Sequence, residues 1–321
     1  MSTLSSTDHT LLDIAQLMHN GSIQKVIEVL DETNDFTREA IFLPANGMFG
    51  HTGPIRTSLP PSTWRKYNDG VAYTKGTSRQ ITEALGSCEQ YSRVDAGYTD
   101  KLADPRAYRQ GEDMAHVEGL GQDIADAFIY ADPDVYPERL KGLAPRITSA
   151  SASNAVDAGG SGEDTTSVWL VQWGENKCCL RYPEQSASAG IRVEDLGKQL
   201  VDGVTSSTVY LAYVTHFIQE MALWVPDDRS IQRICNIETK GSSNILNPND
   251  LITALNRIPN NAAGTVIYCN PTIKTQLDII AMNKSNVFYT GEDAFGKPVT
   301  MFQGHPIRRV DAILDTETAL T

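Results

Sequence analysis

Basic residues are scarce in this 321-residue chain: 27 Lys and Arg stand against 40 Asp and Glu, for a formal charge of −13. A duplex-binding surface needs clustered cations to displace the counterions condensed on phosphates, and no basic run occurs. Sequence-specific nucleic-acid recognition is therefore argued against. Cysteine is scarce too. Cys88, Cys178, Cys179, Cys235 and Cys269 include no CxxC pair, and their odd number speaks against a disulfide framework. Cys178 and Cys179 are adjacent, which admits a redox pair. Neighbours on a strand point to opposite faces, and that reading is preferred.

Long apolar runs are missing. No stretch approaches the ~20 residues of a membrane span, and the N-terminus "MSTLSSTDHTLLDIAQLMHNG" lacks the basic flank and apolar run of a signal. The expectation is a cytosolic protein without a membrane partner. Catalytic signatures are missing as well: there is no nucleophile elbow, P-loop, dinucleotide fingerprint or zinc motif. "AGGSGED", 158–164, comes nearest to a phosphate loop but lacks the following Lys-Ser/Thr, so it reads as linker. The six histidines are dispersed, none at metal-ligand spacing. No catalytic residue, cofactor or metal is assigned, and an enzyme is not expected.

What is present describes a folded chain of 40% hydrophobic and 21% charged residues, long enough for two lobes. Leu11, Leu12, Ala15 and Met18 make one short helical stripe, closed by Asn20-Gly21; Ile23, Val26, Ile27 and Leu30 make another. From 35 to 95 the chain is rich in Gly, Pro, Thr and Ser. Turn chemistry at Asn68–Gly70 and Lys75–Ser78 predicts a two-stranded hairpin with its tip near 68–78. Strands of ~14 residues would reach roughly 46 Å, beyond the ~20 Å radius of gyration of a compact chain this size. Such a hairpin needs a neighbour, since isolated hairpins are barely stable.

Asp104-Pro105 is an N-cap followed by proline. Met114, Val117, Leu120, Ile124, Ala127 and Phe128 follow at helical spacing, giving one helix of about 25 residues. His116 within it reads as a solvated helix-face residue. Residues 149–167 read as a flexible loop, and "VWLVQWGENKCCLRY" as a hairpin around Gly-Glu-Asn. The stretch 208–225 fits both periodicities; its β-branched and aromatic content favours a strand. Asn247-Pro248 and Asn270-Pro271 repeat the cap-then-proline signal around the short strand "TVIYCN", which makes a small α/β lobe.

Near the C-terminus, "FGKPVTMFQGHPIRRVDAIL" brings His305, Arg308, Arg309 and Asp311 together in sequence. They form either a site or the polar face of a strand. "GKPVTMFQGHPIRRVDAIL" resembles the closing strand pair of the coat proteins of epsilon15-like short-tailed phages, which have the Hong Kong 97-type fold. "SIQRICNIET", "YCNPTIKTQLDIIAMNKSN" and "STWRKYNDGV" resemble the same family at comparable positions, so the likeness spans roughly 36–316.

That resemblance implies an α+β fold made of an N-terminal arm (1–35), an extended hairpin loop (36–100), a peripheral domain with a spine helix (101–229) and an axial α/β domain (230–321). It implies a structural protein, the major capsid protein of an icosahedral head enclosing double-stranded DNA. Its partners would be itself, in pentamers and hexamers, with scaffold, decoration and portal proteins. Its place would be the virion, after assembly in the host cytoplasm. Pro306, Ile307 and Val310 would build the strand, and Arg308, Arg309 and Asp311 its polar face or an intersubunit pair. His305 stands where an apolar residue is expected, and no motif carries over the Lys–Asn crosslink of some shells. An encapsulin-like compartment, or a soluble hydrolase with a hairpin lid, are the other readings. The assembly contact is expected on the hairpin, over 54–94.

Overall fold

The computed structural model describes residues 18–19, 22–23, 34–184, 190–203, 208–241, 243–283, 288–292 and 298–321. They fall into two compact units. The first takes 87–125 and 190–219 with the N-terminal residues; the second takes 34–86, 126–189 and 220–321.

In chain order, β1 (Met18–His19) and β2 (Ser22–Ile23) pair antiparallel on either side of the Asn-Gly dipeptide, where spacing predicts helix. Met18 and Ile23, counted in helical stripes by their spacing, are strand residues instead. The remainder of both predicted helices lies outside the described residues. After β3 (Phe42–Pro44) comes the hairpin, β4 (Gly50–Ser58) against β5 (Thr77–Ala84). Its strands are shorter than the ~14 residues expected, because Pro60 and Pro61 have no N–H to continue the ladder. The turn at Asn68–Gly70 forms where expected, with Asn68 at φ 66° and the Asp69 N–H donating to Lys66 O at 3.3 Å. The second turn signal is instead the entry to β5. There a Cβ on Gly76 would sit 2.6 Å from Ser58 O, so only glycine fits.

β6 (Gly86–Asp95) leaves the hairpin for another sheet, so the hairpin expected over 54–94 spans 50–84. α1 (Ala96–Thr99) follows, then the long helix α2 (Pro105–Tyr130), 26 residues. Asp104 Oδ1 accepts from the Ala107 N–H at 3.0 Å, as the cap signal requires. Leu120, Ile124 and Phe128 are buried, but Met114 is 73% exposed. His116 is half-buried rather than solvated, its ring parallel to Phe217 at 6.3 Å.

β7 (Ala155–Asp157), β8 (Thr165–Gln172), β9 (Cys179–Tyr182), β10 (Arg192–Asp202), β11 (Val209–Trp224) and β12 (Ile231–Glu238) come next. β11 is strand throughout, which decides that ambiguity. In the first unit β10 runs antiparallel along its Val209–Ile218 part, and β6 also pairs with it. α3 (Pro248–Arg257), β13 (Thr265–Cys269), α4 (Pro271–Asn283), β14 (Phe288–Glu292), β15 (Pro298–Phe302) and β16 (His305–Arg309) complete the chain. Both predicted caps form: Asn247 Oδ1 accepts from the Asn249 N–H at 3.1 Å, and Asn270 Oδ1 from the Ile273 N–H at 2.8 Å.

The second unit is built on a seven-stranded sheet ordered β14-β15-β16-β13-β8-β12-β7. β8 is buried along all eight residues, the run expected of a central strand. Leu170, Ile234, Ile267 and Ile307 from the sheet pack with Leu251, Leu255, Ile273 and Leu277 from α3 and α4. Two expectations fail here. The stretch 149–167 is no flexible loop: it holds the edge strand β7 and a turn in which the Gly160 N–H donates to Asn236 O at 2.9 Å. A Cβ on Gly160 would lie 2.4 Å from that oxygen, so "AGGSGED" is glycine-rich for close approach rather than for linkage. The turn after Trp173 does form, with the Gly174 N–H on Cys178 O at 2.9 Å, but β8 and β9 part beyond it. β8 joins β12 and β13, whereas β9 joins β3 and the end of β11. Turn chemistry specifies the reversal; the pairing partner is chosen by burial further along the chain.

Candidate assembly surface

Of the four polar residues near the C-terminus Arg309 and Asp311 pair with each other, and the four do not converge on one site. Ile307 is buried in the sheet beside Ile267, and Val310 follows with its N–H on Cys269 O at 2.9 Å, so the strand reading of this stretch holds. Gln303 and Gly304, at φ 49° and 84°, make the two-residue turn between β15 and β16. Around that strand each polar group is spoken for separately. The Arg308 Nε–H donates to Glu39 Oε1 at 2.7 Å, Arg309 Nη2 reaches its near neighbour Asp311 Oδ2 at 2.9 Å, and His305 Nδ1 faces Thr265 O at 3.3 Å.

Further inside, a buried ion pair clamps the end of the chain. Arg233 Nη2 meets Glu317 Oε2 at 2.9 Å with both side chains 6% exposed. The other guanidinium N–H groups donate to Ser167 Oγ at 2.9 Å and Ile147 O at 3.0 Å. The Tyr130 O–H donates to Glu317 Oε1 at 2.6 Å, and the Glu317 N–H to Thr165 O at 2.8 Å. Burial, then the Glu317 charge, pushes the Tyr130 phenol well above its ordinary range, so it stays a donor. Sequence reading misses this node because its members lie far apart in the chain. The four buried thiols, Cys178, Cys179, Cys235 and Cys269, are equally inert: none forms a disulfide, and burial raises Cys235 to about 11 and Cys269 to about 12.

The hairpin has a root and a tip of different character. At the root, Arg146 Nη1 meets Glu83 Oε1 at 2.8 Å, both side chains 11% exposed, while Arg146 Nη2 donates to Leu223 O at 2.9 Å. His51 sits edge-on to Trp224 at 4.5 Å and accepts on Nδ1 from the Asn46 N–H at 3.2 Å. Burial, helped by the Arg181 charge, holds the His51 imidazole below its ordinary range, so it is neutral. Gly86 completes the root, since a Cβ there would lie 2.6 Å from Leu140 N.

Beyond the last ladder pair, Ser58–Thr77, every residue but Gly76 is exposed. Leu59 is 76% exposed, Trp64 98%, Tyr67 95% and Tyr73 fully. Arg65, Lys66 and Lys75 lie exposed among them, and Arg56 and Arg79 are exposed on the end of the ladder. Large aromatic side chains left wholly in water mark an interaction surface, because each forgoes the burial that is its main contribution to stability. The sequence does carry a signal for this: aromatic residues scattered in a Gly/Pro/Thr/Ser-rich stretch without the alternation that would bury them.

A family model described as Major capsid protein GP7 matches residues 18–321. Among solved structures, the chain is similar to the near-atomic structure of bacteriophage epsilon15, with 32% identity, 100% of each chain covered and a TM-score of 0.74. It is more remotely similar to the capsid of a native GTA particle, at 12% identity over 68% of this chain and 95% of that one, TM-score 0.45. The holo-SrpI encapsulin complex from Synechococcus elongatus is at 10% identity over 72% and 96%, TM-score 0.47. Those last two likenesses are too weak to carry an argument. No curated protein matches.

Proposed function

Since the chain belongs to the major capsid protein GP7 family and is a phage coat protein of the Hong Kong 97-type fold, we propose that its exposed hairpin tip makes the contact between copies in the shell. The four sequence stretches that resemble the epsilon15 family thus point to the right relatives, and a capsid built from many copies of this chain is its place in the virion. The observation that carries the hairpin reading is the exposure of Trp64, Tyr67 and Tyr73 at the end of a ladder whose root is locked to the body.

In this reading the chain works as four parts: an arm over 1–35, a hairpin region over 36–100, a peripheral part over 101–229 and an axial part over 230–321. Copies form pentamers and hexamers by heterologous contacts, one patch meeting a different patch on the next copy. The shell is icosahedral, assembles in the host cytoplasm with scaffold, decoration and portal proteins, and encloses double-stranded DNA without sequence-specific binding. No catalytic step belongs to it.

Light scattering at rising concentration, followed by negative-stain microscopy, tests the reading. Rings or closed shells are expected; a strict monomer at every concentration, with and without a scaffold protein, would refute it. Limited proteolysis tests the hairpin itself. Unassembled chain should be nicked between Asn68 and Arg79, and the same bonds should resist in particles. A chain whose residues 60–75 are replaced by a two-residue turn should fold and fail to form particles.

A further inference from the structure

β10 lies at the end of its sheet. Its one strand partner among the described residues is β11, so every second N–H and C=O along it points away from the sheet. Nine of its eleven residues are exposed, so little of it is covered from either face. Partway along, the ladder shifts register between Asp195 and Gly197, and Gly197 stands at φ 69°. This bulge closes on its own polar groups: the Gly197 N–H donates to Asp195 Oδ1 at 2.9 Å, and Gln199 Nε2 donates to Leu196 O at 2.8 Å. Such a bulge interrupts any further pairing at that point. The run beyond it, Lys198 to Asp202, keeps an unbroken register with β11.

One face of that run is apolar and open. The register places Lys198 opposite Tyr213, Leu200 opposite Leu211 and Asp202 opposite Val209, all on one side of the sheet. Asp100, just after α1, ties down the near end: its Oδ2 accepts from Lys198 Nζ at 2.6 Å and its Oδ1 from the Tyr213 O–H at 2.8 Å. Past that point Leu200 is 66% exposed, Leu211 53% and Val209 58%. Neighbouring aliphatic side chains that forgo burial together on a sheet edge mark the place of a partner. The order of residues says which partner. Lys-Gln-Leu-Val-Asp, laid antiparallel on itself about Leu200, sets Lys198 opposite Asp202, Gln199 opposite Val201 and Leu200 opposite Leu200. A shift of two residues loses both ion pairs, and a shift of one turns the apolar side chains to opposite faces. Lys198 has three N–H donors, so it can hold Asp100 and a second carboxylate at once.

We infer that β10 of one copy pairs antiparallel with β10 of a second copy, about a two-fold axis at Leu200, and so joins the two sheets into one. This rests on the reading of the chain as a shell subunit and adds a second contact, separate from the hairpin. Heterologous contacts close copies into rings. A shell must also tie each ring to the next, and an isologous pair on a two-fold axis does that. The joined sheet carries Leu200 and Leu211 of both copies side by side, flanked at each end by Lys198 of one copy against Asp202 of the other. Main-chain hydrogen bonds supply the affinity, and the order of charged and apolar side chains supplies the register.

Cysteine substitution in the full chain tests the register. Residues directly opposite each other have Cα atoms about 4.5–5.5 Å apart, within the ~4.4–6.8 Å that a disulfide spans. In oxidised particles, Leu200→Cys should therefore run as linked pairs on a gel without reductant, joined at position 200 in both copies. The wild type, whose cysteines are buried or half-buried, should not. Gln199→Cys sets its two copies roughly 8 Å apart across the axis and should stay mostly unlinked. Leu200→Lys puts like charges face to face and should leave rings that do not close into particles. Leu200 is exposed, so the unfolding midpoint should match the wild type and separate a lost contact from misfolding. If Leu200→Cys fails to link in particles, or Gln199→Cys links as strongly, the pairing is wrong although the shell reading stands. Normal particles from Leu200→Lys would overturn it too. A link from Leu200→Cys to a different protein would give the edge to that partner and equally overturn the inference. If the wild type forms neither rings nor particles, the shell reading itself fails and the pairing with it.

Discussion

The two ends of the hairpin obey opposite rules although one ladder of strands joins them. At the root, polar groups are matched inside the chain: Glu83 with Arg146, Arg146 with Leu223 O, His51 with the Asn46 N–H. At the tip, the rings of Trp64, Tyr67 and Tyr73 and the cations Arg65, Lys66 and Lys75 are exposed. The root therefore sets direction and the tip supplies contact. A projecting element can be specific only if its base cannot pivot, and a salt bridge 11% exposed on both sides resists pivoting far better than a surface pair would.

The comparison predicts that interior changes act on folding and tip changes on assembly alone. The largest effect is expected deep in the second unit. Glu317→Ala removes the counter-charge of Arg233 where both are 6% exposed, and should cost about 3–5 kcal/mol. Urea unfolding followed by circular dichroism would measure it; a loss below about 1 kcal/mol would mean that water reaches the guanidinium.

At the root, Gly86→Ala places a methyl 2.6 Å from backbone atom Leu140 N, which cannot swing aside as a side-chain end could. A cost of about 1–3 kcal/mol is expected, together with faster hydrogen exchange at the Leu85 N–H, which bonds Phe49 O at 3.0 Å.

Acid should loosen the root next. The folded state holds His51 below its ordinary value of 6.5, so its contribution is complete above that pH and is lost as pH falls through the folded pKa. Amide exchange along β4, compared near pH 7 and pH 5, should quicken in the wild type and much less in His51→Gln. Equal quickening in both would assign the effect to other groups.

The smallest effect on stability is expected where the assembly loss is greatest. Trp64→Ala should leave the unfolding midpoint of the monomer within about 0.5 kcal/mol of wild type, as for any exposed site without structural contacts. A clear destabilisation would mean that the tip packs against its own chain, and the contrast between root and tip would be lost.

Local signals in the amino-acid sequence determined the elements whose cause is itself local. The Asp104-Pro105, Asn247-Pro248 and Asn270-Pro271 caps start helices because a side-chain oxygen and a missing N–H act within one turn. The turn at Asn68 forms for the same reason, and so do the buried strand 265–269 and the long strand 209–224, whose own residues carry the apolar content that buries them. The resemblance of four stretches to the epsilon15 coat proteins located the family. Only the tertiary structure decided which strands pair. β8 and β9 are joined by a correctly predicted turn and still separate, since each is buried against strands distant in sequence. It also decided where charges end up: Arg233 meets Glu317 in the interior, while Arg308 and Arg309, adjacent in sequence, turn to different carboxylates. Desolvation is a property of the whole fold, and so is the reach of a guanidinium across it. No window of sequence contains either.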